Sequence, residues 1–263
     1  MGININIITP VGSTSGLEET ISSVKESALH LKKINIKLIL VLNNSIKFSI
    51  KDILKEDDNF KIDIYNINPI ASRSKARNYG LDRIEDKNEK SFVMFLDAGD
   101  KLLYNAISNI HNYIHVMNNS NLLFVNKSYI ELNQSGNFTS IPLFPMYMRR
   151  IVNPFLLGGI ILNTKIAKKI KFYEGKKEDW IYWNAILDLK PKIYYTDRFS
   201  YIYKVDNISQ HYKKKYKSIL ELRKLLIEKL KWGNLTSYLI FFVHFTLISL
   251  RWMYINIKSK FKI

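Results

Sequence analysis

The chain has 263 residues, no cysteine, and 40 Lys+Arg against 23 Asp+Glu, for a formal net charge of +17. That length holds one large domain or two small ones, and 47% hydrophobic with 13% aromatic residues argues against disorder. The lack of cysteine excludes a disulfide scaffold, a thiolate zinc site, an iron–sulfur cluster and a cysteine nucleophile.

The first residues do not resemble a signal peptide. Ile3 to Ile8 alternates like a strand, with no basic stretch and no long apolar run. It ends in the loop Thr9-Pro10-Val11-Gly12-Ser13. A helix follows, with Leu17, Ile21, Val24 and Ala28 on one face. Ile36 to Leu42 is a short run with β-branched residues, apolar but for Lys37. Together these predict a strand–helix–strand unit, whose natural form is a parallel pair. Lys61 to Ile67 predicts another strand and Ser74 to Ile84 another helix. Ser91 to Leu96 predicts a buried strand that runs into Asp97-Ala98-Gly99-Asp100. Beyond Asp100 the pattern is mixed: a helix over Tyr104 to Met117, strands over Asn121 to Leu132 and Ile160 to Leu162, a helix over Trp180 to Leu187, and two short strands, Lys192 to Tyr195 and Phe199 to Tyr203. Asn133 to Gly136 is a polar turn. Residues 1–210 read as one α/β domain, and residues 211–263 as a tail of different character.

Ligands of parallel α/β sheets sit at the carboxyl ends of the strands. Thr9-Pro10, Asn43-Asn44-Ser45 and Asp97/Asp100 fall at such ends. A carboxylate pair there calls for a cation, and Mg²⁺ or Mn²⁺ takes oxygen ligands of this kind; a helix-capping Asp97 beside a solvated Asp100 is the other reading. Glu178-Asp179 opens a helix, which fits dipole compensation, or a general base at Asp179. Trp180 and Trp183 lie one turn apart, the spacing of core residues, although an indole face also stacks on sugars.

Taken in order, these segments resemble the family 2 glycosyltransferases of the GT-A fold. The resemblance runs through Ile5-Asn6-Ile7-Ile8-Thr9-Pro10, Leu17 to Val24, Leu40-Val41-Leu42-Asn43-Asn44-Ser45, Ser72 to Leu81, Phe95-Leu96-Asp97-Ala98-Gly99-Asp100, Glu178-Asp179-Trp180 and Tyr201-Ile202-Tyr203-Lys204. It covers residues 3 to about 210. It implies a single, mostly parallel, Rossmann-like sheet flanked by helices. It also implies a bacterial enzyme of surface-polysaccharide synthesis that moves a sugar from a nucleotide sugar, a UDP-sugar by expectation, to a glycan or polyprenyl-diphosphate-linked hydroxyl with inversion. Carried onto this chain, it makes Asp97 and Asp100 the site of Mn²⁺ or Mg²⁺, with Asp97 also at the ribose–diphosphate. Asp179 becomes the base, with Glu178 and Trp180 at the acceptor. Thr9, Pro10 and Asn43 line the nucleotide pocket, and Arg77 with Lys75 faces the diphosphate. The chain departs from the family in several places. Asn43 stands where an Asp is frequent, though Asn still accepts a hydrogen bond from uracil N3–H. Val11-Gly12-Ser13 replaces the usual Tyr-Asn, and Gly99 takes the place of the middle carboxylate. Asp206 and His211 stand near a position often held by His. These departures leave room for a non-catalytic GT-A-like scaffold that tethers a biosynthetic complex.

The charge is lopsided. From Gln210 onward twelve basic residues face only Glu221 and Glu228, a net +10. Ser218 to Lys231 predicts an amphipathic helix, and Leu235 to Leu250 is uncharged but shorter than the roughly 20 apolar residues of a spanning helix. The expectation is a helix at an anionic membrane surface, with Trp252 and Tyr254 as interfacial aromatics. That places the protein in the cytoplasm, attached peripherally to the membrane's inner face. Packing on the domain or in a homodimer is one alternative, and a spanning helix is the other. The excess is lysine rather than arginine, and no nucleic-acid-binding motif is present, so no nucleic acid partner is expected.

Overall fold

The computed structural model describes residues 2–29, 31, 34–43, 59–67, 72–85, 90–108, 113, 122–132, 138–141, 146, 149, 153–205, 242, 243 and 246. The predicted helix at 104–117 lies largely outside them. So do the turn at 133–136, Asp206, His211 and nearly all of the basic tail.

Among the described residues, nine strands form one sheet. They are β1 (Ile3–Val11), β2 (Ile34–Asn43), β3 (Phe60–Ile67), β4 (Ser91–Phe95), β5 (Lys101–Leu102), β6 (Leu122–Leu132), β7 (Phe138–Ile141), β8 (Ile160–Asn163) and β9 (Lys192–Val205). The order is β3-β2-β1-β4-β8-β6-β9-β5, with β7 beside β6. β3, β2, β1 and β4 are mutually parallel. β8 enters antiparallel, and β6 pairs with β9 in a long parallel ladder. The two short strands expected near the end are one 14-residue strand. Its register against β6 slips at Val125/Lys127 and at Lys127/Ser128, which accounts for the break in alternation.

Central strands must be apolar on both sides when helices cover both faces. β4 is buried at all five positions, and β1 at all but one. The edge strand β3 shows the opposite, with only Phe60 fully buried. One face packs on α1 (Leu17–Ala28) through Leu17, Ile21 and Val24 against Ile5, Ile7, Leu38 and Leu40. The other packs on α2 (Arg73–Arg83), α3 (Thr164–Ala167) and α4 (Glu178–Asp188), which meet Ile8, Ile39, Val93 and Phe95.

The chain adds β2 and β3 on one side of β1, then returns to place β4 on the other. This reversal opens a crevice beyond the carboxyl ends of β1 and β4, where ligands of open α/β sheets bind. Pairing between β1 and β4 ends at Ile8↔Phe95. Pro10 therefore lies where β1 has lost that neighbour, and its missing N–H leaves no gap in that ladder.

Candidate active site

The turn after β4 is held from below by α1. Thr20 Oγ1 donates to the Asp100 carbonyl at 2.8 Å and accepts from the Gly99 amide at 2.9 Å. Ser23 Oγ accepts from the Leu102 amide at 3.1 Å. Gly16 and Gly99 have φ of +72° and +99°, which favours glycine. A Cβ on Gly16 would stand 2.8 Å from the Gly99 Cα, so the two loops touch through bare backbone.

Asp97 projects from this turn toward α2. Arg77 Nη2 lies 2.6 Å and Arg73 Nη1 3.3 Å from its carboxylate. Arg77 is completely buried, and its Nη1 reaches Glu178 at 3.1 Å. One guanidinium thus links the end of β4 to the start of α4. The sequence-based expectation had Arg77 facing a diphosphate; its two terminal nitrogens are instead taken by carboxylates. The motif around it folds accordingly. Ala76 is buried, Asn78 exchanges two hydrogen bonds with the Phe172 backbone at 2.9 and 2.8 Å, and Gly80 lets the helix close on Ile8. Arg73 sits one helical turn before Arg77, on the same side. Lys75 lies about 200° around the helix from either. It pairs on the surface with Glu174 at 3.3 Å rather than joining the cleft.

Asp179 follows Glu178 in the first turn of α4 and accepts from Asn153 Nδ2 at 2.6 Å. Lys177, just before the helix, takes a left-handed φ of +62° and sets the angle at which both carboxylates enter. Trp180 is only 2% exposed, and its indole N–H donates to the Arg149 carbonyl at 2.6 Å. It is a core residue and presents no face to an acceptor, contrary to the expectation. Trp183 is likewise buried, against Phe155.

Alternation separates the three residues expected to line a nucleotide pocket. Thr9 follows Ile7 onto the α1 face, whereas Pro10 and Asn43 follow Ile8 and Val41 onto the α2 face. Thr9 Oγ1 and Asn43 Oδ1 are buried polar atoms without a hydrogen-bond partner among the described residues. Such atoms are costly unless a ligand or water meets them.

No protein-family signature and no curated protein sequence matches the chain. Solved structures do. The chain aligns over 98% of its length with 74% of residues 1–349 of S. aureus TarS, at a TM-score of 0.60 and 14% identity. The same fragment in complex with UDP-GlcNAc aligns at a TM-score of 0.60, covering 92% of this chain and 70% of that one at 14% identity. The mannosyltransferase PcManGT from Pyrobaculum calidifontis, in complex with GDP-Man and Mn²⁺, aligns at a TM-score of 0.59 and 10% identity, over 95% of this chain and 74% of that one.

The chain has the GT-A fold.

In this GT-A cleft the electrostatics are uneven. Burial acts to raise the Asp97 pKa, but Arg77 and Arg73 override it and hold the group ionised, below the usual carboxylate range. Asp100 lacks such a cation. Tyr201 donates its hydroxyl to one carboxylate oxygen, and the Lys204 amide donates to the other at 3.1 Å. Burial, with the charge of Asp97, still pushes its pKa up to about 7. Burial, and then Glu178, also raises Asp179. Among the described residues no three metal-ligating side chains converge. The fit to a divalent ion rests on Asp100, a buried carboxylate with only neutral donors, next to a second carboxylate. Two such oxygens completed by substrate phosphates match the habit of Mg²⁺ and Mn²⁺.

Sequence reasoning missed Asn153, Arg73, Thr20 and Tyr201. Arg73 was findable from its i, i+4 spacing to Arg77. Asn153 lies outside every recognisable motif, and nothing local marks it.

Proposed function

We propose that this chain is an inverting glycosyltransferase that uses a nucleoside-diphosphate sugar. The observation that carries the proposal is the bridge from Asp97 through Arg77 to Glu178, which fixes a helix-borne Asp179 across the cleft from a carboxylate turn. Asp179 removes the acceptor hydroxyl proton while that oxygen attacks the anomeric carbon. The bond from that carbon to the diphosphate breaks, its electron pair stays on the phosphate oxygen, and the configuration inverts in one displacement. Asn153 orients the base. Asp97 and Asp100 would hold Mn²⁺ or Mg²⁺, which when bound offsets charge on the departing diphosphate. Asn43, whose buried oxygen has no partner among the described residues, suits the N3–H of a uracil, which favours a UDP-sugar. The structural neighbours that hold UDP-GlcNAc and GDP-Man support the donor class.

The test is a panel of nucleotide sugars with Mn²⁺, read by thermal stabilisation and by donor hydrolysis. One donor at 100 times its Kd should stabilise the fold by about 2.7 kcal/mol. A flat panel would sink the enzyme proposal and favour a scaffold.

We further propose that the acceptor is a lipid-linked or free glycan of a bacterial surface polysaccharide, and that the basic tail lies on the inner face of the cytoplasmic membrane. Among the described residues no helix is long and apolar enough to cross a membrane. Helical Phe242, whose carbonyl accepts from Thr246 Oγ1 at 2.9 Å, is 67% exposed, as an interfacial residue would be. The full chain should sediment with vesicles containing anionic lipid and lose that binding when residues 233–263 are removed. Equal sedimentation of both forms would refute the assignment.

A further inference from the structure

Asp100 is gripped by β9 at two points, on either side of Ile202 and Tyr203. Tyr201 holds one of its carboxylate oxygens and the Lys204 amide the other, with Tyr203 between them. The short pairing of β5 with β9, Lys101↔Ile202 and Leu102↔Tyr201, locks this register directly beside the carboxylate turn. Lys204 is not available to the cleft, because its ammonium is bound to Glu19 on α1. Alternation places Tyr203 on the same side of β9 as Tyr201. Tyr201 is buried and spent on Asp100, whereas Tyr203 is partly exposed. Its ring packs against the core cluster on the α1 face. Among the described residues its hydroxyl donates to no acceptor, yet it lies close enough to Asp100, Asp97, Arg73 and Asp179 to feel their charges.

We propose that Tyr203 is a donor-binding residue whose hydroxyl hydrogen-bonds the distal phosphate of the nucleoside diphosphate, including the oxygen that departs from the sugar. The inference rests on the nucleotide-sugar assignment made above.

The chemistry of the cleft favours this role. Four carboxylates gather there, and an anionic diphosphate entering among them needs donors. Arg77 holds a carboxylate at each end, Lys75 points elsewhere, and Arg73 beside Asp97 is left as the exposed charged donor. A phenol brings a donor without a charge to desolvate. Burial, with the negative charge of Asp100 and Asp97, pushes the Tyr203 pKa up to about 12, so the proton stays on the oxygen throughout. It keeps that proton during transfer. The hydrogen bond strengthens as the electron pair of the broken bond settles on the phosphate. The core contact of the ring fixes the hydroxyl in advance.

Tyr203→Phe keeps the ring and removes only the donor. Calorimetric titration of the full chain in Mn²⁺ buffer should compare UDP with UMP, and GDP with GMP. The variant should bind the diphosphate about 10- to 100-fold more weakly, the size of a hydrogen bond to a charged group. It should bind the matching monophosphate, which lacks the distal group, as the unaltered protein does. Unchanged diphosphate affinity would overturn the inference while leaving the nucleotide-sugar assignment standing. An equal loss for monophosphate and diphosphate would also overturn it, since that pattern marks a purely structural tyrosine. If the unaltered protein binds none of the four nucleotides, the underlying assignment falls, and this inference with it.

Discussion

Replacing Asp179 with Asn is expected to slow sugar transfer by about 10²- to 10⁴-fold, the contribution of a positioned general base, without weakening nucleotide binding. The change is close to isosteric. Asn153 Nδ2, now 2.6 Å from Asp179 Oδ2, would still find an amide oxygen to donate to. Asn accepts no proton, so only the chemical step suffers. A pH profile gives the same test a second reading. Burial and the neighbouring Glu178 raise the Asp179 pKa above that of an ordinary aspartate. The base works only when ionised, so kcat/KM should fall as pH drops through this raised value. The acid limb therefore lies above the usual aspartate range. Full activity in Asp179→Asn, or an acid limb at the ordinary aspartate position, would remove Asp179 from its role.

The second large effect is on stability. Arg77→Met should destabilise the protein by about 3–5 kcal/mol, because it strands two carboxylates that share one buried guanidinium. Asp97 and Glu178 are 22% and 18% exposed at the side chain, so water compensates only in part. For a chain of this size each kcal/mol shifts the melting temperature by roughly 2–4 °C. A loss of about 10 °C is therefore expected in calorimetry. Arg77→Lys should recover only part of it, since an ammonium is a point charge and cannot fork between two acids. The Arg77 face lies 5.3 Å from the Phe172 ring, and that contact would be lost too. Wild-type melting of Arg77→Met would show that the bridge contributes nothing.

The strands were legible because burial on both faces leaves a plain mark: Leu38 to Leu42 and Phe92 to Leu96 are uninterrupted apolar runs, and both are central. The carboxylate turn was legible because it follows such a strand. The opening of α4 was legible as an acidic pair. What lay beyond local pattern was partnership. The Arg77 side chain looks, on its own helix, like a diphosphate ligand or a surface charge. Its true setting depends on Glu178, 101 residues away. Trp180 and Lys75 mislead for a related reason. An indole beside an acidic helix start and a lysine beside an arginine suggest a site, but helix geometry turns the first into the core and the second to the surface. Alternation alone could have separated Thr9 from Asn43, once each strand's inward face was known.

The bridge at Arg77 also bears on how the protein is made. Its Asp97 arm closes over 20 residues of chain and its Glu178 arm over 101. Asp100 likewise waits for Tyr201, another 101 residues on. At a synthesis rate of about 5–20 residues per second, Glu178 emerges roughly 4–16 s after Asp97. During that interval a nascent chain carries Arg77 and Asp97 but neither Glu178 nor Asp179. A product released before α4 would lack the residue proposed as the base. Under the proposed function, catalytic competence would arrive late on the ribosome, and a chain cut before α4 would be inert.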